Sequence, residues 1–404
     1  MSERDDKVVR RRRVFYIPGY DPIHPRRYRE LYRSEGAAQA AISGYEIGLK
    51  PRKFAGNYGW QAKSVQDGAE VTADVEVLVW SDIVRGSMSQ TIPATYWQML
   101  RTAWVYIASG ALFRLMRLRK GPVIAALYPV GALILQALVA LLVAYGLAIL
   151  GGLLWPGPGT WAGLALGLFA GYGLLRFLKA RDGKYFVYYL MHDYAYSAAS
   201  RGANPPELEA RMAEFADRIA AAMAEDWDEV LVIGHSSGAH LGVSILADLA
   251  RQGRIRGTLG FLSLGQVVPM VSFLPAAHRL RADLAALSTS DQLTWIDVTA
   301  PGDGCAFALC DPVAVSGVAP AGKRWPLVIS AAFTQTLSPA RWKELRWRFF
   351  RLHFQYLCAF DLPGDYDYFR ITAGPLTLAQ RFEGRRPSAS RIEAPVNRFT
   401  SQAA

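Results

Sequence analysis

The sequence predicts an α/β protein built on a mostly parallel sheet with helices on both faces, interrupted by an inserted transmembrane helical hairpin. Three observations predict it. Short apolar runs alternate with amphipathic stretches on either side of the chain's middle, as in a parallel sheet covered on both faces. Between Lys120 and Arg176 about 55 residues carry no Asp, Glu, Lys or Arg, enough for two spans of ~17–25 residues. The buried-strand pattern Val230-Leu231-Val232-Ile233 runs directly into Gly234-His235-Ser236-Ser237-Gly238, a G-x-S-x-G sequence that opens an amphipathic helix.

The elements follow in order. Val14-Phe15-Tyr16-Ile17 is a short apolar run ended by Pro18-Gly19, a strand and a turn. Residues ~26–47 repeat Tyr28, Leu31, Tyr32, Ala38 and Ile42 near the helical period. Val75 to Trp80 reads as a strand. Beyond the apolar stretch, 206–224 is Ala-rich and amphipathic, 230–233 a strand and 238–251 a helix. Strand-like runs recur at 258–264, 293–299 and 326–332, and an amphipathic helix is expected over 339–357. The organisation predicted is 12–120 and 184–383 as two parts of one soluble domain, 121–178 as the hairpin, and 384–404 as a disordered tail rich in Pro, Ser, Arg and Ala.

Within the apolar stretch, Trp155-Pro156-Gly157-Pro158-Gly159-Thr160-Trp161 breaks the helix. The expected helices are 123–153 and 160–177, with Trp155 and Trp161 at a membrane–water boundary. Arg114, Arg117, Arg119 and Lys120 precede the pair, and Arg176, Lys179, Arg181 and Lys184 follow it. The connecting turn carries no charge, so the positive-inside bias predicts both ends, and the soluble domain they lead to, on the cytoplasmic side.

With 404 residues the chain can bury a core without disulfides or metals. Its 3 cysteines, Cys305, Cys310 and Cys358, have no partners at zinc-finger spacing, and reduced thiols are expected. A net charge of +11 suits nucleic acid or an anionic membrane. No nucleic-acid-binding motif is present, and the apolar stretch selects the bilayer as the partner. The N-terminal basic run lacks an apolar segment after it and does not read as a cleaved signal peptide.

The chemistry concentrates at Ser236. A sharp strand-to-helix turn lifts the hydroxyl clear of the sheet, small residues at Gly234 and Gly238 let the backbone pack, and the helix N-terminus offers N–H groups to an oxyanion. These residues resemble the nucleophile elbow of the α/β-hydrolase superfamily, over ~12–112 and ~184–383 and not over the hairpin. The resemblance implies a serine hydrolase whose triad follows the order Ser, acid, His. Of six histidines, His24, His192 and His235 precede Ser236, and His240 lies on the same helix. His278 comes before the best acids, which leaves His353 as the base that the family order implies. Asp303, in the turn after the 293–299 run, is the favoured acid, with Asp297 and Asp311 as alternatives. The oxyanion hole is expected from the Ser237 N–H and from the Gly19/Tyr20 loop, where Pro-Gly-Tyr replaces the His-Gly pair common in the family.

The expected activity is hydrolysis of carboxylic esters, lipid or acyl esters among them, through an acyl-enzyme without cofactor or metal. An acyltransferase with the same triad and a non-catalytic membrane-bound scaffold are the rival readings. The His192-Asp193 pair lacks a third ligand at metal spacing, and Asp365 and Asp367 read as a solvated turn. The stretch Arg341 to Arg348 fits a packed helix with a basic outer face slightly better than a helix lying on lipid headgroups.

Overall fold

A computed structural model describes residues 8–54, 57–88 and 91–403. The chain divides into two compact units. The first comprises 1–86, 110–122 and 200–404, and the second comprises 87–109 and 123–199.

The first unit holds an eight-stranded sheet. Its strands are β1 (Arg11–Ile17), β2 (Glu46–Phe54), β3 (Asn57–Gln66), β4 (Ala69–Val77), β5 (Glu229–His235), β6 (Leu259–Leu264), β7 (Thr294–Thr299) and β8 (Leu327–Ser330). The spatial order is β2-β3-β4-β1-β5-β6-β7-β8. Five neighbouring pairs, from β4-β1 to β7-β8, are parallel, and the β2-β3-β4 meander is antiparallel. Both faces of the parallel part are buried. Val14, Tyr16, Leu231, Ile233, Leu262 and Ile296 share a core with Tyr28 and Tyr32 of the Arg26–Ser43 helix. On the opposite face the Ser237–Arg251 helix comes so close that a Cβ on Gly242 would stand 2.7 Å from the Phe261 ring.

The basic N-terminal run becomes structural from Arg11 onward. Arg12 is fully buried and pairs with Glu229 at 2.6 Å, while Arg13 pairs with Glu76. Buried charges persist only when paired, so these residues contribute little to a free basic surface.

Several expectations need correction. The 75–80 strand is instead Ala69–Val77. The β2–β3 hairpin was not foreseen, because Glu46–Phe54 is an edge strand of charged, largely exposed residues with Pro51 inside it. The 339–357 helix breaks into Pro339–Leu345, Phe349–His353 and a 3₁₀ turn at Gln355–Leu357, because Arg348 leaves helical geometry at φ −100°, ψ 65°. The 384–403 tail is not loose. Ile392 forms a bridge with Cys310, and the N–H groups of Ser388, Ile392 and Val396 donate to Val328, Leu309 and Val315. Backbone hydrogen bonds order a segment whose composition alone argued for disorder.

The second unit is helical and larger than the expected 121–178 hairpin, since it includes Ile92–Ala108 and Val187–Ala199. Its two longest helices, Lys120–Leu154 and Pro158–Ala180, are long and apolar enough to cross a membrane. Most of their apolar surface faces outward, with Leu153 77% and Phe169 78% exposed. Gly159, Gly163, Gly167 and Gly171 recur every fourth residue and form the buried face of the second helix. A Cβ on Gly163 would fall 2.1 Å from the Leu147 carbonyl oxygen, and one on Gly167 would fall 2.5 Å from Ala144 Cα. This is the close backbone approach that small residues at i, i+4 permit between helices in a bilayer.

Candidate active site

Parallel strands end at one edge of the sheet, and loops leaving that edge meet. β5 ends at His235, and Ser236 makes the turn before the Ser237–Arg251 helix. Ser236 has φ 56° and ψ −121°, a conformation sparsely populated by residues other than glycine. The turn is held from several sides. Ser236 N–H donates to the Leu264 carbonyl at 2.9 Å. A Cβ on Gly238 would fall 2.1 Å from the Ile17 carbonyl oxygen, and one on Gly234 would fall 2.5 Å from that of Gly238. Both elbow glycines are therefore sterically required.

β1 runs beside β5, with Ile17 opposite Gly234 in register, so the Pro18-Gly19-Tyr20 loop passes the elbow. A Cβ on Gly19 would lie 3.0 Å from Ser236 Cβ and 3.4 Å from its Oγ. The Trp80 indole N–H donates to the Pro18 carbonyl at 2.9 Å and fixes this loop.

Asp303 lies in the turn after β7, and His353 ends the Phe349–His353 helix. His353 Nδ1 is 2.7 Å from Asp303 Oδ2. The same carboxylate oxygen accepts from the Tyr356 hydroxyl at 3.0 Å, and Oδ1 accepts from the Cys305 N–H at 2.8 Å. Burial alone would raise the Asp303 pKa. The charge and hydrogen bond of His353, the Cys305 N–H and Tyr356 outweigh it and hold the carboxyl below its ordinary value. An ionised carboxylate only accepts, so Nδ1 carries the proton. The other ring nitrogen, Nε2, is buried without a hydrogen-bond partner among the described residues.

His235 links the elbow to His353. Its Nε2 is 3.0 Å from the His353 carbonyl oxygen, and the two rings stand 4.9 Å apart at 33°. Because a carbonyl cannot donate, His235 is the donor. Burial, assisted by the charge of His353, pushes its pKa down to about 3 and keeps it neutral. Neither His235 nor Tyr356 was foreseen as a contact of the site. His235 occupies a variable position of the motif, and nothing in the spacing of Tyr356 ties it to Asp303.

The structure thus sets Gly19 against Ser236 and joins Asp303 to His353, with His235, the neighbour of Ser236, in contact with His353. It places the alternatives elsewhere. Asp297 lies inside β7, accepts from Ser263 Oγ at 2.5 Å, and is pushed by burial to about 8. Asp311 caps the Pro312–Val315 helix and pairs with Lys323 at 2.6 Å. His278 Nδ1 accepts from the Arg281 guanidinium, and His192 Nδ1 is 2.8 Å from Gln98 Oε1. His240 is buried on the Ser237–Arg251 helix.

Asp303, Cys305 and His353 also present ligand atoms within 4.8 Å of one another. Two ligands ~2.0–2.1 Å from a tetrahedral zinc ion stand roughly 3.3 Å apart. The 2.7 Å between Nδ1 and Oδ2 fits a shared proton better than a shared ion. A cavity of about 360 Å³ is lined by Arg27, Tyr28, Leu31, Phe354 and Cys358; Ser236 does not line it.

Comparison with known proteins gives no match to a family model, a curated protein or a solved structure.

Proposed function

We propose that this protein is a membrane-anchored serine hydrolase of the α/β-hydrolase kind, cleaving carboxylic esters through an acyl-enzyme. The observation that carries the reading is the Asp303–His353 hydrogen bond at 2.7 Å, with Nε2 buried and without a hydrogen-bond partner among the described residues, reached through His235 from a serine in strained elbow geometry. Structural ion pairs involving histidine are common. An ionised carboxylate that fixes one tautomer leaves the other nitrogen to take a proton, the role a general base fills once substrate draws the hydroxyl to it.

In this reading Ser236 Oγ attacks the ester carbonyl carbon as His353 Nε2 takes its proton. Asp303 stays ionised, holds the imidazole in place and stabilises the imidazolium. The Ser237 N–H and an N–H of the Gly19/Tyr20 loop receive the developing oxyanion. The alcohol leaves with the proton from His353. A water molecule, deprotonated by the same nitrogen, then attacks the acyl carbon and releases the acid, restoring Ser236. The two apolar helices cross a bilayer in this reading, with the basic flanks on the cytoplasmic side, and tether the serine site to a membrane rich in amphipathic esters.

A fluorophosphonate probe on the full chain in detergent tests the proposal. The parent protein becomes covalently labelled, Ser236→Ala does not, and His353→Ala is strongly reduced. Ser237→Ala and His240→Ala keep substantial labelling, since Ser237 contributes only its backbone. Absence of labelling in a folded parent protein would return the scaffold reading to first place.

A further inference from the structure

We propose that the Ile92–Ala108 helix lies in the membrane–water boundary at the basic end of the hairpin, as a second contact with lipid beside the spanning helices. The proposal rests on the hairpin crossing the bilayer.

The helix has two unlike faces. Ile92 and Met99 share a core with Leu133 of the first long helix and with Val187, Met191 and Ala195, while Leu175 of the second long helix packs against it. Tyr96 donates its hydroxyl hydrogen to the Leu133 carbonyl at 2.8 Å. The other face carries Trp97, Leu100, Trp104 and Ile107, which are 68%, 57%, 73% and 49% exposed. Their spacing of three, four and three residues forms a single stripe along the helix. The only charged residue, Arg101, turns back to donate to the Ala199 carbonyl at 2.8 Å. A stripe of this kind in water would be a large exposed apolar patch, which calls for a partner.

Position along the hairpin identifies the partner as lipid. At ~1.5 Å per residue, Leu133 lies roughly 30 Å from the end of the first long helix at Leu154, and Leu175 lies roughly 25 Å from the start of the second at Pro158. Those distances match the ~30 Å hydrocarbon thickness of a bilayer. A hairpin with its Trp155/Trp161 turn at one boundary therefore has the Ile92–Ala108 helix attached at the other. Arg176, Lys179, Arg181 and Lys184 mark the same level. Tryptophan with aliphatic neighbours is the composition that settles at such a boundary.

The test uses the full chain in vesicles of phosphatidylcholine with a minority of phosphatidylglycerol. The photoreactive residue benzoylphenylalanine replaces Trp97, Trp104 or Leu142 in turn, and adducts are mapped by mass spectrometry. Position 142, in the middle of the hairpin, reports insertion by itself. Lipid adducts at all three positions are expected, on headgroup-proximal carbons at 97 and 104 and near chain ends at 142. Lipid adducts at 142 alone would overturn the inference and leave the hairpin standing. Adducts at 97 and 104 to a second copy of the chain, or to chain ends, would also overturn it. Absence of lipid adducts at 142 would remove the membrane reading itself, and the inference with it.

Discussion

Asp303 is the residue whose neighbours say most about its role. Three hydrogen bonds converge on its buried carboxylate, from His353, Tyr356 and the Cys305 N–H. Replacing it by Asn keeps the shape but lets the side-chain amide donate to the imidazole, favouring the wrong tautomer. If the proposed hydrolase reading holds, Asp303→Asn folds and lowers kcat by about 10⁴-fold, measured on an ester that the parent turns over. Gly19 offers a second test at this scale. A methyl group there would sit 3.0 Å from Ser236 Cβ, so the loop must retreat. Gly19→Ala should reduce kcat by about 10²–10³-fold, the cost of losing one oxyanion donor, with KM much less affected. A variant as active as the parent would remove the Gly19/Tyr20 loop from the oxyanion site. Ser236 and the elbow glycines were legible in the sequence because a tight strand–helix turn imposes its requirements on adjacent residues. Asp303 was favoured from its turn after the 293–299 run, but Asp297 and Asp311 stayed open, because which carboxylate meets His353 depends on which strand ends lie side by side.

Among the elements, the hairpin makes the sharpest prediction. Gly163 lies where any side chain would overlap the Leu147 carbonyl, a backbone group that cannot swing aside. Gly163→Leu should force the two long helices apart at a cost of about 1–3 kcal/mol or more. Leu166→Ala, at an exposed site on the same helix, should cost little. Thermal aggregation temperatures in detergent compare the two, and equal values would mean that the glycine face does not hold the helices together. The two long helices were readable from the absence of charge, which is a property of composition. Other elements were less legible. The Glu46–Phe54 edge strand lacks a buried face to impose alternation on its sequence. The helix expected over 339–357 has continuous amphipathic spacing, and the break at Arg348 that sets the start of the Phe349–His353 helix is tertiary.

The molecule as a whole should lose stability on acidification because of its buried histidines. Burial pushes His235 to about 3 and both His240 and His192 to about 4, and the charge of His353 adds to the first and that of Lys179 to the last. Each is neutral when folded, but its unfolded form takes a proton near the ordinary value of 6.5. Between those values the unfolded state binds more protons, so stability is fully present above pH 6.5 and falls as pH drops toward 4. His240 Nδ1 has no hydrogen-bond partner among the described residues, so an apolar replacement leaves no donor stranded. His240→Leu should therefore show a smaller fall in melting temperature between pH 7.5 and pH 5 than the parent. An unchanged fall would mean that His240 does not contribute to the linkage.

What the sequence determined by itself is local or compositional: the strand–helix alternation, the charge-free stretch, and the elbow in which Ser236 must leave β5 through small residues. Each follows from interactions between residues a few positions apart, or from the solvent a long segment can tolerate. The tertiary structure decided the rest. β1 lies beside β5, which brings Gly19 to Ser236, and the turn after β7 faces the end of a helix that begins beyond β8, which joins Asp303 to His353 across 50 residues of chain. The tail is held by carbonyls far upstream, those of Val328 in β8 and of Leu309 and Val315. Pairings of this kind depend on which strand ends become neighbours, and the spacing of residues along a single chain does not encode that order.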